Sequence, residues 1–106
     1  MTENKIYIGL NDSQTRMQMF DTEKYISILK DVCRNYHVGF SVSSDQGGYF
    51  FEDGSYTQET TLVLSLIDVD VQTVNEIAKD ICVFFRQESV LITENEVRAY
   101  YVREKL

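Results

Sequence analysis

The chain has 106 residues, 43% of them hydrophobic and 25% charged, which is enough for one domain, residues 1–106, with a real core. Its 17 acidic and 10 basic residues leave a net charge of -7, which argues against direct binding of nucleic acid, where cations must displace counterions. No run of about 18 apolar residues is present and the first residues lack the basic-then-apolar order of a signal peptide, so no membrane span and a cytoplasmic location are expected.

Residues 5–10 alternate, with Ile6, Ile8 and Leu10 on one side and Lys5, Tyr7 and Gly9 on the other, as in a half-buried strand. Residues 11–20 are polar and read as a long connection, with Phe20 packing back on the core. Asp21 or Thr22 is placed to cap a helix in which Tyr25, Leu29, Val32, Cys33 and Tyr36 share one face. Gly39 is expected to end it. Phe40 and Val42 open a second strand, broken at Gly47-Gly48 by a bulge or a close backbone approach and resumed at Tyr49 to Phe51. Asp53-Gly54 signals a hairpin turn.

The third strand is read over residues 60–67, with Leu62, Leu64 and Leu66 facing inward and Thr61, Val63, Ser65 and Ile67 outward. Asp68 or Asp70 caps a second helix whose stripe is Val74, Ile77, Ala78, Ile81 and Phe85, widened by Val83 and Phe84. Residues 89–93 form a fourth strand, interrupted by Glu94-Asn95-Glu96, and residues 97–103 are extended again as a C-terminal strand extension. Cys33 and Cys82 both fall inside helical patterns and read as small apolar residues rather than a disulfide pair. The order strand, helix, strand, strand, helix, strand predicts an α+β, ferredoxin-like split βαβ domain. Its two helices would cover one face of a four-stranded antiparallel sheet.

Phe85-Arg86-Gln87-Glu88-Ser89-Val90-Leu91 resembles a run, Phe-x-Gln-Glu-Ser-Val-Leu, carried by a family of small bacterial ferredoxin-like domains of unknown function. Tyr7-x-Gly9-Leu10, Gly39 to Val42, Gln46-Gly47, Asp53-Gly54 and Glu59 agree with that family in the same order. Tyr49 stands where the family usually has Trp, the tail is longer and the balance more acidic. The resemblance implies the same fold and no activity.

Chemistry-bearing groups are sparse. His37, the single histidine, sits at a helix end, where a cation favours the last carbonyls. It has no ligand partners at zinc spacing, Gly47-Gly48 lacks the Lys-Ser/Thr of a phosphate loop, and no serine has a nucleophile elbow. No cofactor and no metal are expected. Glu52, Asp53, Glu59, Glu94 and Glu96 read as a solvated turn and strand edge without calcium-loop spacing.

Tyr7, Tyr49, Tyr56, Tyr100 and Tyr101 suit an interface or a stacked ligand, and are also ordinary strand composition. Asn11, Asp12, Arg86 and Gln87 are expected to converge at one end of the sheet. The residues expected to bind a ligand or partner are Tyr7, Asn11, Tyr49, Glu59, Arg86, Gln87 and Glu88. The function expected is a non-enzymatic binding module that associates with itself through the open sheet face and holds a small ligand or protein there. A phage or mobile-element accessory role is in keeping with its small size and acidity. One alternative is an acidic, DNA-mimicking inhibitor of a nucleic-acid enzyme, of the anti-CRISPR or anti-defence kind. The other is a small dimeric enzyme using His37, Tyr7 or Glu59 as acid or base, favoured by a pocket that contains two of them.

Overall fold

The computed structural model of the protein describes residues 1–105. The elements run β1 (Thr2–Gly9), α1 (Thr22–Asn35), β2 (Ser41–Phe50), β3 (Tyr56–Ile67), α2 (Val71–Phe84) and β4 (Leu91–Glu96). All pairings are antiparallel, and the sheet order is β2-β3-β1-β4, the ferredoxin-like arrangement the element order predicts. Strand alternation sends Ile6, Ile8, Leu62, Leu64 and Leu66 inward, where they meet Leu29, Cys33, Val74, Ile77 and Ile81 of the helices in one core. Burial pushes the Cys33 thiol up to about 11, so it stays a neutral packing group.

Several boundaries differ from the sequence reading, each for a local reason. Both helices end in the same way. Tyr36 closes α1, His37 takes φ 56, and Val38 N–H bonds back to Cys33 O at 3.2 Å. Phe85 closes α2, Arg86 takes φ 53, and Gln87 N–H reaches Cys82 O at 3.0 Å. These are Schellman endings with a non-glycine residue in the left-handed position, so Gly39 is not what stops α1. Asp70, not Asp68, caps α2 by accepting from Thr73 N–H at 3.1 Å. Asp70→Ala is expected to lower stability by about 1 kcal/mol in denaturant titration, since one orphan donor of the first turn loses its partner.

β2 runs through Gly47-Gly48 without a bulge, each residue paired one to one with β3. The glycines instead make room for side chains of β3: a Cβ at Gly47 would lie 2.7 Å from Thr61 Oγ1, and one at Gly48 2.8 Å from Tyr56 Cζ. β3 starts at Tyr56 rather than residue 60, because its first residues pair only with β2. The β2–β3 hairpin therefore projects past the end of β1 as a two-stranded arm, and the molecule measures 58 × 25 × 25 Å. Gly54, at φ 88, supplies the expected turn at its tip.

Glu94 to Glu96 complete β4 instead of interrupting it, by pairing with Thr2 to Asn4. Ser89 and Val90 precede it. Residues 97–105 form no strand; Val97 N–H donates to Met1 O at 2.8 Å and the pairing stops there. Val83 and Phe84 are exposed and do not widen the stripe of α2. Phe20 is half exposed, edge-on to Tyr25, with Lys24 Nζ 3.8 Å above its ring.

Candidate functional site

The outer face of the sheet carries no helix. Across it, Tyr7 of β1 lies between Val63 of β3 and Leu91 of β4. Val63, although it faces outward, is only 7% exposed, so it adds little apolar surface to this face. Tyr49, Ile67 and Leu91 are exposed apolar groups on this face.

At the upper end of this face, where β1 stops, a cleft of about 480 Å³ opens between the sheet, the start of the 11–20 connection and the exit of α2. Tyr7, Asn11, Tyr49, Glu59, Gln87 and Glu88 all line it. Arg86 stands behind it, with Nε 3.0 Å from Asp12 Oδ2 and Nη2 donating to Gln14 Oε1 at 3.1 Å. His37 lies apart, beside Asp31, Arg34 and Asn35 at the far end of α1. Of the three acid–base candidates, Tyr7 and Glu59 thus share one cleft and His37 does not.

Glu59 is an acidic group of the cleft that the backbone holds in place. Asn11 N–H donates to its Oε2 at 3.1 Å. Beneath it lies Gly9: a Cβ there would sit 2.6 Å from Glu59 Cδ, so only glycine lets the carboxylate lie flat on the strand. Asn11 is itself tied down on two sides, by Nδ2 to Gln58 O at 3.3 Å and by its carbonyl, which accepts from Gln87 Nε2 at 2.6 Å.

The 11–20 connection is a compact turn rather than a loose link. Asp12 N–H bonds Met17 O, Arg16 N–H bonds Asp12 O, and Asn11 bridges Gln18. Asp12 is buried, and its Oδ1 accepts from Thr15 N–H at 2.9 Å and Gln14 N–H at 2.8 Å. Those two backbone donors, helped by the nearby Arg86 guanidinium, hold its carboxyl below the usual range. Oδ2 meets Arg86 off the line of the N–H, an ion pair without an aligned hydrogen bond. On the other wall, the Arg16 guanidinium stacks 3.9 Å over Phe51, whose ring meets Tyr49 edge-on at 5.0 Å.

Gly9, Arg16 and Phe51 were not among the expected site residues. Gly9 had a legible signal, a glycine at an outward strand position, which marks a close approach. Arg16 and Phe51 had none, since their meeting depends on the arm folding over the connection. Among the described residues, no three His, Cys, Asp or Glu side chains gather as a metal-holding group, and no helix is long and apolar enough to cross a membrane.

No family model and no curated protein matches the chain. Solved structures do. A phage SAM lyase in complex with S-methyl-5'-thioadenosine is similar over 90% of this chain and 80% of its own, at 19% identity and a TM-score of 0.70. CutA1 from Pyrococcus horikoshii is similar over 95% and 87%, at 12% identity and a TM-score of 0.61. GlnK of B. subtilis, in a complex with ATP, is similar over 90% and 84%, at 15% identity and a TM-score of 0.53. At these identities the likeness establishes the ferredoxin-like fold.

Proposed function

We propose that this protein is a lyase that binds S-adenosylmethionine in the Glu59 cleft and releases S-methyl-5'-thioadenosine. The observation that carries the reading is the Glu59 carboxylate, seated over Gly9 and held by Asn11 N–H, in one cleft with the phenols of Tyr7 and Tyr49. The substrate is a sulfonium cation joined to a nucleoside. A fixed carboxylate and aromatic walls are what such a cation needs once water is displaced. The cleft volume suits a ligand of that size. The similarity to the phage SAM lyase supplies the substrate class.

Cleavage breaks the bond between sulfur and the four-carbon amino-acid chain. The electron pair stays on sulfur, which becomes a neutral thioether. Because no water is added, the four-carbon fragment leaves either as a ring closed by its own carboxylate or as an alkene after losing a proton. Glu59 is available as the proton acceptor in the second route and as the counter-ion of the sulfonium in both. An enzyme that consumes the methyl donor serves an anti-defence role of a phage or mobile element without any DNA-mimicking surface.

The test is incubation of the purified protein with S-adenosylmethionine and chromatography of the products. S-methyl-5'-thioadenosine should accumulate in proportion to protein, and mass spectrometry of the fragment separates the two routes. Saturable binding of S-methyl-5'-thioadenosine without turnover would reduce the proposal to the binding module read from the sequence. Neither turnover nor binding would end it.

The same reading places a second copy of the chain over the open sheet face. The cleft is lined by outward residues of that face, Tyr7, Tyr49, Glu59 and Leu91. On this face Tyr49, Ile67 and Leu91 are exposed, and the tail residues Tyr100, Tyr101 and Val102 do not fold back over it but stand 73%, 88% and 86% exposed. Exposed apolar groups on a sheet face that no helix covers suit a partner. Sedimentation at tens of micromolar should show a closed oligomer, and Leu91→Glu should dissociate it while leaving the circular dichroism unchanged. A monomeric wild-type chain would contradict this.

A further inference from the structure

We propose that Gln87 is a positioning residue that sets the orientation of the Glu59 carboxylate through Asn11; the proposal builds on the reading of Glu59 above. Asn11 is the second residue past β1. The regular ladder ends at Gly9 with Thr61, and Leu10 N–H still reaches Thr60 O at 3.0 Å. The Asn11 N–H points instead at Glu59 Oε2. What fixes that N–H is therefore whatever fixes Asn11, and the shortest bond to it comes from Gln87 Nε2, 2.6 Å from the Asn11 carbonyl.

Gln87 is aimed there by the way α2 ends. Arg86 occupies the left-handed region at φ 53, a conformation that costs a non-glycine residue energy and persists only where the surroundings hold it. Here they do. Gln87 N–H is bonded to Cys82 O, and Phe85, one residue before Arg86, is buried against Tyr25 with ring centroids 5.0 Å apart. The turn then grips the connection at three successive residues: Gln87 at Asn11, Arg86 Nε at Asp12, and Arg86 O at Ser13 N–H, 3.2 Å away.

A continuous path thus runs from the core, through Phe85 and the α2 exit, to the carboxylate. The Nε2 of Gln87 faces two carbonyls, those of Asn11 and, at 3.4 Å, Phe85. Both of its protons have protein acceptors, so Gln87 acts through Asn11 although it also lines the cleft.

The experiment uses Gln87→Glu and Gln87→Met, which keep the length of the side chain and remove the donor. In the ligand-free protein, the Asn11 amide should exchange with deuterium about tenfold faster in both variants, while amides of the β1–β3 ladder keep their rates. With S-adenosylmethionine, kcat should fall about tenfold with KM little changed, as for a misplaced catalytic group. In a Glu59→Gln background the Gln87 substitutions should cause no further loss, because they act through the group already removed. Unchanged Asn11 exchange, or losses that multiply in the double variants, would overturn the proposal. A wild-type protein that does not cleave S-adenosylmethionine counts against the lyase reading alone, and the Asn11 exchange then decides the positioning by itself.

Discussion

Leu64→Ala is expected to cost about 2–5 kcal/mol of stability. Leu64 is fully buried in the stretch of β3 that pairs with both β1 and β2, and its own partners are Ile6 and Val42. Removing three carbons there leaves a void bounded by two neighbouring strands and the helices above, none of which can close it without breaking ladder hydrogen bonds. A domain of 106 residues has a net stability on the order of 5–15 kcal/mol, so the variant should unfold at far lower denaturant with an unchanged slope. Ile67→Ala on the opposite face, where the side chain is 48% exposed, is the control, and its cost should stay under about 1 kcal/mol. A Leu64→Ala loss as small as that of the control would mean that the inward face of β3 is wrongly assigned.

That inward face was legible because alternation and burial carry the same signal. Leu62, Leu64 and Leu66 repeat with the pleat, and Leu29, Val32, Cys33, Ile77 and Ile81 with the helical turn, so element order and fold class follow from period alone. The boundaries did not follow, because they are set by backbone bonds that leave no compositional mark. His37 and Arg86 stop the helices although neither is the usual residue for a left-handed ending. The bond from Gln87 N–H to Cys82 O is invisible in the sequence. Glu94-Asn95-Glu96 looks like an interruption by composition, yet an edge strand facing solvent tolerates charge, and β4 uses them to pair with the first residues of β1.

The cleft was partly legible for a related reason. Asn11, Asp12, Arg86 and Gln87 lie at element ends that the topology brings to one edge of the sheet. Tyr7 and Glu59 occupy outward strand positions near it. Their convergence could be reasoned from fold and period, whereas the Arg16–Phe51 stack could not, since it needs the register of the arm and the compact turn of residues 12–17 together. Val63 shows the opposite error. Its outward position is real, but neighbouring side chains already cover it, and alternation alone cannot measure that coverage.

Gly9→Ala should have the largest functional effect of any change that leaves every titratable group in place. The added methyl would occupy the ledge on which the Glu59 carboxylate rests, 2.6 Å from its Cδ. Gly9 itself does not need a positive φ, so the backbone of β1 accepts alanine without strain. The conflict has to be settled by the side chain, and the carboxylate swings off the strand and away from Asn11 N–H. Stability should change little, because the displaced group is at the half-exposed outer face and the core beneath, Ile6 and Ile8, is untouched. The rate of the proposed S-adenosylmethionine cleavage should fall by roughly 100-fold, the scale expected when a catalytic group is misplaced or lost. Glu59→Gln should fall by a similar factor, and the double variant should be no slower than either, since both changes remove the same placed charge. Full activity in Gly9→Ala, with its melting temperature unchanged, would mean that the ledge does not place a catalytic carboxylate and that the chemistry of the cleft resides elsewhere.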